Sequence, residues 1–446
     1  MRSEYVRRKL GDLVRIKHGF AFKGEHFVDE PTTHVLVTPG NFAIGGGFQD
    51  TKLKFYRGPV PEEYVLRAGD LIVTMTDLSR AADTLGFSAL VPEHHQRVYL
   101  HNQRIGLVEV LRPMEVSKAW LHYLMRTSDY RAWVVGSATG STVKHTSPSR
   151  ICDFEFDLPT IDVQRDVAAI LDALESRIDL LRQTNSTLES IAQALFKSWF
   201  IDFDPVQAKA EGREPEGMDA ATAALFPAEF DESELGPVPK GWTVQPIGDL
   251  VEAVGGSTPD TKNEAFWEPA VHHWTSPKDL SGATAPVLLN TERKVSDAGL
   301  AKISSGLLSA GTLLMSSRAP IGYLSLSQVP VAINQGYIAM PPGGRLPPEF
   351  MYFWCQLNME VIKGRANGST FMEISKKAFR PIPALLPSPE VVNRFHEFAT
   401  TVFSRVTANE RQACALADLR DTLLPRLISG KLRLQEVQVE GEEALA

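Results

Sequence analysis

The pentapeptide ATGST at 138–142 returns as ANGST at 366–370, 228 positions later. Five residues can match by chance, so the test is whether the match extends. At the same offset Leu158-Pro159 falls on Leu386-Pro387, Arg177 on Arg405, Leu188 on Leu416 and Leu195 on Leu423, with no gap. Upstream the match continues with insertions. Leu10-Gly11-Asp12-Leu13 answers Ile247-Gly248-Asp249-Leu250, Leu66-Arg67-Ala68-Gly69 answers Leu308-Ser309-Ala310-Gly311, and Asn102-Gln103 answers Asn334-Gln335. The chain is one unit of about half its length, written twice, so it must fold as two related halves. At 446 residues, 43% of them hydrophobic, it has enough apolar material for two or three cores.

Each half ends in a long heptad. Over 161–200, Val167, Leu171, Leu174, Ile178, Leu181, Asn185, Leu188, Ala192, Leu195 and Trp199 follow one another in alternating steps of four and three, the seam of one long helix. Thr160 and Asp162 are its capping candidates, just after Pro159. The second seam runs Phe395, Ala399, Val402, Val406, Asn409, Ala413, Leu416, Arg420, Leu423 and Leu427, and the Ser429-Gly430 pair stops it, with Pro425 a candidate kink. Two such helices related by a two-fold pair antiparallel. Setting Asn185 opposite Asn409 puts Leu181 with Ala413, Leu188 with Val406, Trp199 with Phe395 and Val167 with Leu427. A polar pair inside such a seam costs stability and fixes register. At ~1.5 Å per residue a seam of about 33 residues spans about 50 Å, the dimension of a ruler between two globular units.

The globular parts, roughly 1–158 and 241–387, mix short β-rich runs (Leu71–Met75, Thr312–Ser317) with Gly and Pro turns, and one helical stretch recurs late in each, Ser117–Arg126 and Pro348–Leu357. The expected class is α+β (mixed): two pseudo-symmetric domains separated by an antiparallel two-helix coiled coil. The expected division is 1–158, helix 159–203, an acidic Pro/Gly-rich connector 204–240, 241–387, helix 388–432 and an acidic disordered tail 433–446. The connector reads as an extended, partly ordered segment whose Leu225-Phe226, Phe230 and Leu235 pack along a surface.

The net charge of −8 argues against nucleic acid only until it is located. The connector holds nine acids against three bases, and 435–446 holds four acids and no base, so the remainder is slightly basic at +2. That permits a nucleic-acid partner. No apolar run approaches the ~20 residues of a membrane helix. Cys152, Cys355 and Cys414 are isolated and read as reduced, buried thiols of a cytoplasmic protein. Catalytic signatures are missing: no G-x-x-x-x-G-K-[ST] loop, no G-x-G-x-x-G after a strand, no H-E-x-x-H and no spaced Cys/His set. The Pro-Pro pairs in MPPGG and LPPEF do not fit the Asn/Asp/Ser-Pro-Pro-aromatic motif of adenine methyltransferases. What remains are loops that combine small hydroxyls, amides and cations: ATGSTVKHTSPSR (138–150) and ANGSTFMEISKKAFR (366–380), joined by GFAFKGEHF (19–27) and WTSPKDL (274–280). Backbone N–H groups, hydroxyls and ammonium groups suit phosphate oxygens. The same Ser and Thr residues also suit ordinary helix caps and turns.

The half-chain repeat, the long helix after each half, the block ALFKSWFIDFDPVQAKAEGREPEGM followed by LFP and SELGPVPKGW, and the segments WTSPKDL, RAPIG, AINQGY, LLPSPEVVNRF and LRDTLLPRLISGKL together resemble the specificity (S) subunit of type I restriction–modification systems, over essentially the whole chain. The resemblance implies two target recognition domains, each reading one half of a bipartite asymmetric site in double-stranded DNA. It implies helices that set the gap between half-sites and dock two methyltransferase (modification) subunits, with restriction/translocase subunits completing the nuclease. No cofactor would bind this chain; S-adenosylmethionine would belong to the methyltransferase, ATP and Mg to the restriction subunit. It would be a cytoplasmic, non-catalytic subunit. A scaffold that organises other proteins, or a DNA-modifying enzyme with an unrecognised motif, are the alternatives. Candidate DNA contacts are Lys23, Thr142, Lys144 and His145 in the first unit, and Lys262, Lys278, Arg318, Thr370, Lys376 and Lys377 in the second, mostly phosphate contacts. The aromatic helix end, Phe196, Trp199, Phe200 and Phe203, is too sticky for solvent. It is expected to dock on a methyltransferase subunit or to bury within this chain against the second recognition domain. Arg420, where the first seam has Ala192, departs from the repeat and marks an end that is open or faces a partner.

Overall fold

The computed structural model describes residues 5–79, 81–141, 143–368 and 372–432. The expected mixed α+β class is what the chain adopts. Its contacts divide it into two units, 1–176 with 416–446 and 177–415. Each unit therefore holds a length of both long helices.

In the first unit Leu71–Thr74 is buried along its whole length, and strand alternation explains how. Leu71 and Val73 face a core with Trp120, Tyr123 and Tyr130, while Ile72 faces a second core with Val35, Val37, Ala89 and Tyr99. The strand is an inner member of an antiparallel sheet ordered Val14–His18, Ile105–Val110, Leu71–Thr74, Ser88–Leu90. A second sheet, ordered Phe27–Val28, Lys54–Tyr56, His34–Val37, Val98–His101, contains one parallel pair, His34–Val37 with Val98–His101. Tyr5–Lys9 pairs with Glu155–Pro159 just before the first long helix.

The second unit repeats this plan. Leu313 and Met315 join Phe350 and Phe353 in one core, and Leu314 joins Leu280, Val331 and Ile333 in another. Its sheet runs Val287–Leu288, Ile321–Ser327, Leu313–Ser317, Tyr337–Met340, and the parallel pair recurs as His272–Thr275 with Val331–Ile333. Thr243–Pro246 pairs with Pro383–Leu386 before the second long helix. One backbone approach is common to both units. A Cβ on Gly19 would lie 2.1 Å from the Asn102 carbonyl oxygen, and one on Gly256 would lie 1.8 Å from that of Ile333, so only glycine fits either place.

The long helices are Ile161–Phe200 and Pro389–Ile428. Pro425 lies within the last turn without ending the helix, and Gly430, at φ 68, stops it in the left-handed conformation. In the first unit Val167 and Leu171 share a core with Leu423, Leu424 and Leu427. In the second, Phe196 meets Phe395 at 5.4 Å between ring centres, and Ala192, Val402 and Val406 are buried in the same core. Arg420 is not at an open end: its guanidinium meets Glu175 at 3.3 Å and Asp421 at 2.7 Å.

The connector is more folded than its composition suggests. It forms helices Asp204–Ala210 and Ala220–Ala224 and a hairpin, Phe230–Ser233 with Gly236–Pro239. Pro205 opens the first helix, the Asp219 carboxylate accepts the Thr222 N–H at the start of the second, and Val206 and Phe226 are buried. The segment 433–446 lies outside the described residues.

Candidate nucleic-acid interface

Equivalent two-bond bridges join the backbone on either side of the two repeated pentapeptides. Thr139 and His145 exchange both backbone hydrogen bonds, at 2.9 and 2.8 Å, and Asn367 and Glu373 exchange theirs at 2.9 and 3.0 Å. Gly140 makes the first turn possible, since at φ 96 a Cβ would sit 2.0 Å from the Val143 carbonyl oxygen. Each hairpin is then fastened to the end of the central strand. The Thr146 N–H donates to the Met75 carbonyl, and the Ile374 N–H to that of Ser317, both at 3.0 Å.

The same strand end gathers further groups. In the first unit Lys144–His145 pairs with Thr76–Asp77, and His145 Nδ1 lies 3.2 Å from Thr76 Oγ1. The Met75 N–H donates to the Arg104 carbonyl at 3.0 Å, which brings the exposed Gln103 and Arg104 alongside. Leu78, 63% exposed, stands next to them in sequence. Asp77 is buried beneath. Burial alone would raise its carboxyl, but N–H donors from Ser79 and Thr84 and the Thr84 hydroxyl outweigh that and hold it below the usual carboxylate range. Its oxygens are committed to shaping the loop 77–85.

In the second unit the Ser317 N–H donates to the Gly336 carbonyl at 2.8 Å, Arg318 faces Glu373 at 3.7 Å, and Thr258 donates to Gln335 Oε1 at 2.7 Å. Lys376 lies over Gly255, and with Lys377 it opens a short helix capped by the Ser375 hydroxyl. The two units thus share a backbone frame at this end and differ in its side chains: Lys144 and His145 correspond to Met372 and Glu373, and Asp77 to Ala319.

The structure therefore brings together Lys144 and His145 in one unit, and Arg318, Lys376 and Lys377 in the other. Lys278 reaches the same region through Pro277, which abuts Gly336, but its ammonium is paired with Glu292 at 2.8 Å, which raises its pKa. Lys23 faces Glu25 at 3.7 Å beside a short 3-10 turn, Gly24–His26, and the exposed Lys262 sits on the loop that Trp267 Nε1 ties down at the Asp260 carbonyl. These two are not joined to the hairpins. Exposed ion pairs of this kind are screened by solvent and contribute little. Thr142 and Thr370 lie outside the described residues. The exposed Gln103, Arg104 and Gln335 also lie at this strand end, and the duplicated Asn-Gln is the sequence signal that marks two of them.

The docking role expected for the aromatic helix end needs correction. Phe196, Trp199 and Phe200 are 0, 5 and 5% exposed, packed on Phe350, Phe395, Phe226 and Trp242 of their own unit, and Phe203 stacks edge-on against Phe230 and Trp242. Phe196, Trp199 and Phe200 are thus covered within their own unit, and Phe203 is half-buried. Asn185 and Asn409 are brought together: the Asn409 amide donates to Asn185 Oδ1 at 2.9 Å, and both are buried. Among the described residues, no group of three or more His, Cys, Asp or Glu side chains is placed to hold a metal ion, and no helix is long and apolar enough to cross a membrane.

Comparison with known proteins shows what these features have in common with others. Residues 239–411 match the type I restriction modification DNA specificity domain. The chain is 28% identical over 347 residues to the type I restriction enzyme HindI specificity subunit of Haemophilus influenzae, covering 69% of this chain and 75% of that one. It is 24% identical over 338 residues to the MjaIX specificity subunit of Methanocaldococcus jannaschii, covering 74% and 73%. The crystal structure of the type I restriction-modification system S subunit from M. genitalium shares the fold, with a TM-score of 0.56 at 14% identity over 96% of this chain and 97% of that one.

Proposed function

We propose that this chain, a member of the type I restriction-modification specificity subunits, is the DNA-reading subunit of such a system, each unit reading one half of a bipartite, asymmetric target. The observation that carries this is the duplicated strand end. Identical backbone bonds hold the 139–145 and 367–373 hairpins in place, while the side chains they present differ in charge and shape. A conserved frame with divergent faces is suited to reading two different half-sites. Lys144, Arg104, Arg318, Lys376 and Lys377 would mainly meet phosphates, setting orientation and affinity, and Gln103, Gln335 and His145 would meet base edges.

Chemistry would reside in partners: methyltransferase subunits that carry S-adenosylmethionine and dock along the long helices, and restriction subunits that use ATP and Mg. The complex would work in the cytoplasm. Sequencing modified bases in native DNA, with and without the gene, tests this reading. Loss of one split, asymmetric adenine-methylation motif on deletion is the expected result. An unchanged methylome together with no DNA binding by the assembled complex would overturn it in favour of a scaffold, and methylation by the purified chain alone in favour of an enzyme.

A further inference from the structure

The helices Lys118–Leu124 and Pro348–Leu357 hold the same place in their units and bury the same ring positions, Trp120 and Tyr123 against Phe350 and Phe353. Aligned from their N-caps, Ser117 and Pro347, they set His122 opposite Tyr352 and Arg126 opposite Gln356. In the first unit the Arg126 side chain is 3% exposed. It donates to Glu175 on the long helix at 2.6 Å, to the Gly45 carbonyl at 2.7 Å and to His122 Nε2 at 3.2 Å. Its stem fills the space under the glycine loop so fully that a Cβ on Gly46 would lie 2.6 Å from it.

Gln356 copies part of this. Its Nε2 donates to Glu189 on the long helix at 2.8 Å and to the Tyr352 hydroxyl at 3.0 Å. The side chain is shorter and neutral, and beside it lies a cavity of about 430 Å³ walled by Glu189, Gln356, Tyr352, Tyr323 and the loop that contains Thr284. The wall is rich in acceptors and poor in donors. Gln356 Oε1 is buried with no partner, and the Thr284 hydroxyl is spent on Glu410, which is not part of the wall, at 3.2 Å. Glu189 adds a carboxylate, and no Lys, Arg or His lines the cavity. Buried acceptors left without donors are costly, so such a wall favours a group that brings several N–H donors and a positive charge. A guanidinium is planar, always charged and carries five donors.

We propose that this cavity is a receptor for a guanidinium group, brought by a small molecule or by an arginine side chain of a partner protein, taking in the second unit the place that Arg126 holds in the first. The inference stands apart from DNA reading. Isothermal titration of the full chain tests it, with methylguanidinium and with the capped peptide acetyl-Gly-Arg-Gly-amide as probes and the lysine peptide as a charge control. One saturable site is expected. Glu189→Gln should weaken it tenfold or more, and Gln356→Arg should abolish it by filling the cavity from within while raising the melting temperature of the unit. Peptide binding at least as tight as methylguanidinium assigns the site to a partner's arginine; methylguanidinium binding with the peptide excluded assigns it to a small cation. The proposal is overturned if neither probe binds the natural chain more tightly than Gln356→Arg, or if the lysine peptide binds as well as the arginine peptide. Should Glu189→Gln fail to fold, the Gln356→Arg comparison still decides.

Discussion

Replacing the buried asparagine pair by leucine should stabilise the second unit only when both are changed. Asn185 and Asn409 are 1% and 3% exposed, so neither amide has water to turn to. The Asn409 amide donates to Asn185 Oδ1 at 2.9 Å, and the Asn185 amide reaches the Val406 carbonyl only at 3.5 Å. In Asn409→Leu the Asn185 oxygen loses its donor. The lost bond costs about 1 kcal/mol and the stranded acceptor about 1–3 kcal/mol, against about 2 kcal/mol gained by burying the leucine. The net change is destabilising by about 0–2 kcal/mol, and Asn185→Leu behaves alike. In the double variant no amide remains in the seam, both leucines are buried, and a gain of about 1–4 kcal/mol is expected, as for other buried polar pairs replaced by apolar side chains. The coupling between the sites is thus about 1 kcal/mol or more. Urea unfolding followed by tryptophan fluorescence measures it, since Trp199, Trp242, Trp267, Trp274 and Trp354 all lie in this unit. Additive single changes, within about 0.5 kcal/mol, would refute the pairing as an energetic unit.

Two further outcomes follow from the same chemistry. His122 is held neutral, first by burial and then by the Arg126 charge, down to a pKa of about 3. The unfolded chain protonates it near 6.5, so its effect on stability is absent above that pH and grows as pH falls towards 3. Between pH 7 and 5 the first unit should lose about 2 kcal/mol more than the His122→Leu variant does, read as the change in urea midpoint; equal losses in both would remove His122 as the cause. Alanine at Lys144 or at Lys376 should weaken DNA binding by the assembled complex and lower the slope of log K against log salt by about 1 each, leaving the methylated sequence unchanged. Unchanged affinity and slope in both variants would exclude these hairpins from the contact surface.

The helices were the most legible part of the sequence because period and punctuation agree there. Heptad steps, Pro159, Ser429 and Gly430 all act within one or two residues of where the chain turns, and the 228-residue offset predicts that what one half does the other repeats. The strand end was legible only in part. ATGST and ANGST point to the hairpins, but pairing with Thr76–Asp77 or fastening to Ser317 depends on residues tens of positions away, which no local pattern encodes. Lys23 and Lys262 carry charge and exposure, properties most surface lysines share, and nothing in their local sequence says that they stand away from the hairpins.

The aromatic helix end shows a different limit. A run of Phe and Trp all round a helix demands cover, and composition cannot say whose. The cover proved to be Phe350, Phe395, Phe226 and Trp242, and of these Phe226 comes from the connector. The connector read as extended because it is rich in Pro, Gly, Ala and acids, yet a few buried side chains are enough to fold it once a sticky helix end stands beside it. Divergence between the halves works on the same scale. Exchanging an arginine for a glutamine at one helix position leaves the backbone plan intact and turns a filled, ion-paired core site into an acceptor-lined cavity. A duplicated chain can thus keep one frame and acquire, by single side chains, two surfaces and two interiors with different chemistry.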